Sequence, residues 1–217
     1  MMGNLKNKRI VFTHNKHSNS AIRDEAKKLG AEVLHLPMIE VRPFCEPDTL
    51  EDVWAELWTY QWVVFTSVNG VDNFFHFFFN QFEDIRCLGT LKIACVGPAT
   101  AEAVKQHKLA VDLMPEVHEG EALAEALIEF ETIENEKILV VTGNLNNPKL
   151  IKVLEQKGRA IVDKVQVYET KDCEVGHAWE AEAFRKEGGD VLVFMSASAV
   201  INFAKNASKL QLQDSAK

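Results

Sequence analysis

Residues 137–142 read KILVVT, a lysine followed by an apolar run, and residues 8–13 read KRIVFT in the same mould. Each run leads through a helical stretch to a glycine, Gly158 or Gly30, and then to a second strand-like run at 165–170 or 36–41. Ile10 to Ile138 and Gly30 to Gly158 are both steps of 128 residues. A second module repeats at a step of 129: VFTS at 64–67, with Val71 and Phe74, returns as VFMS at 193–196, with Val200 and Phe203. A third module, built on Gly97, Pro98, Ala99 and Thr100, is due again near residue 226, past Lys217. Repetition at a fixed period is read before anything else, and here it implies two like-built halves, the second unfinished. Ile138, Leu139, Val140 and Val141 are apolar at every position. Such a run suits a strand covered on both faces, as in parallel sheets flanked by helices.

Outward from these runs, strand-length apolar segments alternate with helical patterns. Strands are expected at 10–13, 32–36, 62–66, 93–96, 111–114, 138–142, 160–167 and 191–195. Helices are expected at 20–29, 49–58, 69–79, 99–107, 120–130, 148–157, 177–186 and 198–206. This alternation predicts α/β layers with doubly wound parallel sheets. Gly30 and Gly158 stand just beyond their helices, where a left-handed cap is expected. The alternating segments PMIEVRP (37–43) and KVQVYET (164–170) occupy equivalent places in the two repeats. If the first carries the chain out of one lobe and the second returns it, the middle lobe is an insertion. The expected plan is lobe one at 1–37 plus 171–217, lobe two at 44–163, and hinge strands at 38–43 and 164–170. A cleft between the lobes follows from it.

Composition narrows the function. The chain has 217 residues, 47 % hydrophobic and 26 % charged, with a net charge of −8. This is ordinary for a soluble globular protein of one or two domains. The acidic balance argues against nucleic acid as a partner, since phosphate binding needs a basic face. No stretch approaches the roughly 18–20 apolar residues of a membrane span, and the start lacks the apolar core of a signal peptide. A cytoplasmic monomer that binds no membrane is expected. Cys45, Cys87, Cys95 and Cys173 form no CxxC pair, which suits reduced thiols.

Three motifs could carry chemistry. KIACVGPATAE (92–102) runs from a strand into Gly97, Pro98, Ala99 and Thr100 at a helix start. Pro is favoured there because its missing N–H needs no partner, and the free N–H groups of such an end attract an anion. Ordinary capping and a ligand site both fit this motif. The turns Ser67-Val68-Asn69 and Ser196-Ala197-Ser198 are two hydroxyl-rich copies of one strand-to-helix turn. N-capping explains either alone; two copies facing one cleft point to binding. Tyr168 lies in a hinge strand. Packing is the usual role of a strand tyrosine, but a phenol beside a cleft can donate a proton to a leaving oxygen. His14 and His17 form HxxH without the glutamate of a zincin, and no metal is expected. The phenylalanine-rich stretch 74–82 reads as core with an exposed patch, and residues 119–136 as a solvated acidic face.

Taken in order, FTSVNGV, KIACVGPATAEAV, LVVTGN, VYET and VFMSASAV resemble the uroporphyrinogen-III synthase family, from residue 8 to about residue 206. The resemblance implies two α/β lobes joined by a two-stranded ladder, with the active site between them. It also implies cyclisation of the linear tetrapyrrole hydroxymethylbilane, with inversion of the last pyrrole ring, loss of the substrate hydroxyl and a spirocyclic intermediate. No metal or organic cofactor is implied. Carried over by motif, Tyr168 assists departure of the hydroxyl. Thr13, Ser67, Val68, Asn69, Gly97, Pro98, Ala99, Thr100, Gly143, Asn144, Ser196, Ala197 and Ser198 would meet the substrate. The chain departs from the family where Thr-Arg-Pro is frequent, having Thr13-His14-Asn15. It departs again where LPRG is frequent, having Val141-Thr142-Gly143-Asn144. With the second GPTTA-type loop also missing, lobe one is expected to lack a strand and a helix, and activity to be weak. The alternative function is a non-catalytic tetrapyrrole-binding or regulatory relative using the same cleft, and the fold alone would also suit a two-lobed ligand receptor.

Overall fold

The structure, a computed structural model, describes residues 4–14, 21–173, 175 and 179–210. The chain runs β1 (Arg9–Phe12), α1 (Ala21–Lys28), β2 (Glu32–His35), β3 (Ile39–Pro43), α2 (Pro47–Ala55), β4 (Trp62–Phe65) and α3 (Val68–Gln81). It continues through β5 (Lys92–Cys95), α4 (Pro98–Gln106), α5 (Gly120–Phe130), β6 (Lys137–Gly143) and α6 (Lys149–Gln156). The last elements are β7 (Ile161–Asp172), α7 (Trp179–Glu187), β8 (Val191–Val193) and α8 (Ala197–Lys205). Two compact units result, Arg42–Glu169 and Met1–Val41 with Thr170–Lys217.

In the larger unit the sheet order is β3-β7-β6-β4-β5, and β4 pairs parallel with both β5 and β6, as β6 does with β7. Alternate residues of the central strands feed two apolar layers. Val63, Phe65, Leu139, Val141, Val165 and Val167 pack with the aromatic side of α3. Trp62, Val64, Ile138 and Val140 pack with Leu123 and Leu127 of α5 and Leu150 and Leu154 of α6. Burial on both faces is why β4 and β6 tolerate no polar residue before their ends. Phe74, Phe75 and Phe78 are buried and Phe79 is about half exposed, so the phenylalanine run forms core with an exposed rim.

In the smaller unit the order is β2-β1-β8, all parallel. The repeat aligns β1 with β6, β2 with β7 and β8 with β4, so the two sheets share the order of these strands. Val11 and Leu34 face Phe184 of α7 and Phe203 of α8, while Ile10 and Phe12 face Ala26 of α1. Beyond β4 stands β5, with α4 packed on α3. Among the described residues no strand pairs with the outer edge of β8, where Val191 is 47 % exposed.

Several expectations change. The segments expected at 160–167 and 164–170 merge into one continuous strand, β7, from Ile161 to Asp172. Residues 111–114 form a single bridge, Ala94 to Leu113, instead of a strand. The Asp112 carboxylate takes the Ile93 N–H at 2.8 Å, diverting a donor from the ladder. Gly30 is left-handed at φ 89°, but after α6 the left-handed residue is Arg159, at φ 54°. Gly158 is required for space: a Cβ there would lie 2.6 Å from Ile133 Cδ1 and 2.7 Å from the Leu154 carbonyl. His17 lies outside the described residues, and His14 is buried 4.9 Å from the His35 ring with neither ring nitrogen hydrogen-bonded. Among the described residues no helix is long and apolar enough to cross a membrane.

Candidate functional site

The carboxyl ends of β4 and β6 meet Tyr168 of β7 in the larger unit, and a pocket of about 260 Å³ opens there. Its geometry starts at the end of β6. Register along β6 and β7 slips between Thr142 and Gly143, so Gly143 comes opposite Tyr168. The Tyr168 ring then lies directly over Gly143. A Cβ at that glycine would be 2.4 Å from Cε2 and Cζ of the ring and 2.8 Å from its hydroxyl oxygen. No side chain larger than hydrogen fits beneath the tyrosine.

The far end of the ring is held by the other repeat motif. Tyr168 Oη lies 3.1 Å from Ser67 Oγ. Ser67 caps α3 in extended conformation and accepts the Gly70 N–H at 3.0 Å. With that lone pair occupied, the serine proton is free to point at the phenol. Thr66 Oγ1 donates to the Val141 carbonyl at 3.2 Å, tying the turn after β4 to β6. Phenol, serine and glycine are therefore fixed by strand register and a helix cap.

Opposite them, the pocket is closed by the starts of two further helices: Gly120 and Glu121 open α5, and Lys149 and Leu150 open α6. The loop residues Leu145, Asn146 and Asn147 complete that wall. Helix N-termini carry partial positive charge, and here the starts of α3, α5 and α6 border one cavity. The arrangement suits an anion in a chain whose net charge is −8.

Other reactive groups are unsuited to chemistry here. Burial pushes the Cys95 thiol up to about 12 and the Cys45 thiol up to about 11, so neither forms a thiolate at neutral pH. Tyr60 precedes β4, at the other end of the sheet. Burial, and then its 2.8 Å hydrogen bond to Asp163, hold its phenol well above the usual range. No group of three or more histidine, cysteine, aspartate or glutamate side chains stands ready for a metal among the described residues.

Of the sequence-predicted site residues, the structure gathers Ser67, Gly143 and Tyr168 around this pocket. Val68 and Asn69 form the adjoining first turn of α3, and Asn144 precedes the loop that lines the wall. Residues 97–100 do not line it: Pro98 and Ala99 are exposed at the start of α4, while Thr100 is only 4 % exposed. Thr13 belongs to the smaller unit, where its hydroxyl donates to the Val193 carbonyl at 2.8 Å. Ser196, Ala197 and Ser198 also lie there. Ser196 caps α8 through the Ala199 N–H at 3.3 Å, the same geometry as Ser67, and its Oγ lies 3.1 Å from Ser198 Oγ. Glu121, Asn146, Asn147 and Lys149 also line the pocket, and no motif in the sequence nominated them. The signal available was the polar stretch NLNNPK directly after a central strand's carboxyl end, where α/β sheets bind ligands.

A family model described as Uroporphyrinogen-III synthase HemD matches residues 20–217. A porphyrin biosynthesis protein HemD of Ruminiclostridium josui is 28 % identical over 205 residues, covering 94 % of this chain but 40 % of that protein. The chain thus spans well under half the length of this relative. The uroporphyrinogen-III synthase of Synechococcus elongatus is 26 % identical, covering 93 % of this chain and 75 % of its own. Among solved structures, a mutant uroporphyrinogen III synthase of Thermus thermophilus superposes with a TM-score of 0.64 at 19 % identity, over 94 % of this chain and 80 % of that one. The Helicobacter pylori enzyme gives 0.58 at 16 % identity, over 97 % and 90 %. These two likenesses support the parallel-sheet α/β fold. By the family match, which covers nearly its whole length, this chain belongs to the uroporphyrinogen-III synthase family.

Proposed function

We propose that the protein cyclises hydroxymethylbilane to uroporphyrinogen III, and that the Tyr168 pocket receives the end of the linear tetrapyrrole that loses its hydroxyl. The observation that carries this reading is the Tyr168 phenol, held over Gly143 and against Ser67 at the pocket wall. Tyr168 gives its proton to the departing hydroxyl, which leaves as water while electrons from the pyrrole ring replace the broken C–O bond. Ser67 keeps its proton and donates a hydrogen bond to the phenolate that remains, so the charge never stands unpartnered. A cavity of about 260 Å³ suits one substituted pyrrole ring and not the whole chain. Most of the rate enhancement is then expected from holding a flexible substrate in its productive fold.

Further acid groups of the substrate are assigned to the start of α4 at Gly97, Pro98, Ala99 and Thr100. In the smaller unit, Ser196, Ala197 and Ser198 are given the same role as the Ser67 turn that they repeat. The pairing of β3 with β7, where the chain passes from one unit to the other, supports reading these strands as a hinge ladder. Incubation with freshly generated hydroxymethylbilane tests the proposal. Type III product above the spontaneous type I background is expected, falling at least tenfold in Tyr168→Phe if acid catalysis contributes its usual factor of roughly 100 or more. Type I product alone would refute it.

A further inference from the structure

Among the described residues lining the pocket, Lys149 is the one cation and Glu121 the one anion. Their side chains meet at 3.2 Å, with 64 % and 46 % of each exposed. An ion pair this exposed holds weakly and exchanges partners readily. Both residues stand on first turns of helices that pack together, α5 for Glu121 and α6 for Lys149. The Lys149 backbone is fixed, its N–H donating to the Asn147 carboxamide at 3.1 Å, so the ammonium swings from an anchored root. Glu121 gains little by leaving α5, since an acidic side chain in a helix's first turn is favoured by the dipole. It can therefore stay near its helix start after releasing the lysine.

We infer that Lys149 reads a substrate carboxylate in this pocket, and that Glu121 is its internal competitor. In the resting state Glu121 holds the ammonium. An acid group entering the pocket takes Glu121's place on Lys149, beside the same three helix starts that favour negative charge. The exchange makes the pocket selective: a neutral ring offers Lys149 nothing better than Glu121, whereas a ring bearing a carboxylate does. Two charged groups thus set whether a ring is accepted by its charge, with Tyr168 acting only on what is bound.

The inference rests on the proposed function in one respect, that the occupant is an acid-bearing pyrrole ring. Its test separates the two. The probes are a monopyrrole carrying acetate and propionate side chains and its dimethyl ester, titrated calorimetrically into the full chain. The diacid is expected to bind more tightly than the diester, and less tightly as salt is raised. Lys149→Met should raise the diacid Kd about tenfold, which is about 1.4 kcal/mol, while Lys149→Arg retains binding. Glu121→Gln should lower the Kd about threefold by removing the competitor. Equal binding of diacid and diester, no diacid binding to wild type, or an unchanged Kd in Lys149→Met would each overturn the inference. Turnover completes the separation. Type III product with an unchanged KM in Lys149→Met refutes the lysine's role and leaves the synthase reading standing. Lys149-dependent diacid binding without type III product does the reverse.

Discussion

Gly143→Ala adds one methyl group beneath the Tyr168 ring and should uncouple stability from activity. The new carbon would lie 2.4 Å from two ring carbons and 2.8 Å from the hydroxyl oxygen. Carbon contacts settle near 3.5–4.0 Å, so the ring must retreat by about 1 Å or more. Gly143 is not in the left-handed region, so alanine meets no backbone penalty and the whole effect passes through the ring. Two responses compete. Parting β6 from β7 would overpack a buried ladder at a cost of about 1–3 kcal/mol. Swinging the half-buried ring outward instead sacrifices the Ser67 hydrogen bond, at about 0.5–1.5 kcal/mol. The second is cheaper. It predicts a Tm drop of about 1–6 °C for a chain of this size, with turnover reduced to the level of Tyr168→Phe. A double-mutant cycle provides the control. In a Tyr168→Ala background the methyl meets no ring, and Gly143→Ala should cost almost nothing in Tm. Differential scanning calorimetry with an isomer-resolved product assay reads both quantities. Wild-type turnover in Gly143→Ala, or the same Tm loss with and without the tyrosine ring, would refute the reasoning.

Ser67→Ala removes both the α3 cap and the phenol's partner, so a loss of about 1 kcal/mol in urea unfolding should accompany reduced turnover; Ser67→Thr should keep both properties. A separate expectation concerns pH. Burial, and then repulsion from Glu131, raise the Glu136 carboxyl above its ordinary value, with Lys92 and Trp62 opposing, and its Oε2 is buried without a hydrogen bond. Folding therefore binds a proton there: the associated stability is present below the ordinary carboxyl range and is lost as pH rises through the folded value. Glu136→Gln should be more stable than wild type at pH 8 and lose that advantage near pH 4, as read by paired denaturant titrations.

How much of this was legible from residues alone depends on the range of the interaction. β4 and β6 were visible because burial on both faces leaves uninterrupted apolar runs. The like build of the two halves followed from the two fixed repeat steps, and the strand order they share came only with the structure. Ser67 was visible as a cap because that bond spans only as far as Gly70. Residues 111–114 misled because their alternation is strand-like, while the Asp112 side chain that interrupts the ladder leaves no periodic trace. Gly158 misled for a related reason: its need is for space beside Ile133, a contact set by packing and not by its own dihedral angles. Tyr168 could be nominated from its motif, but the slip between Thr142 and Gly143 that seats the ring over a glycine could not. Lys149 and Glu121 lie 28 positions apart and meet only because α5 packs on α6. Nothing local in either helix marks them as partners.

The most direct measurement is a structure of the protein with its tetrapyrrole product or an unreactive linear analogue bound. One acid-bearing ring is expected in the pocket of the larger unit, within hydrogen-bonding distance of the Tyr168 hydroxyl, with a carboxylate on Lys149 in place of Glu121. A ligand bound elsewhere, leaving the Tyr168 phenol on Ser67 and the Lys149–Glu121 pair closed, would contradict the account.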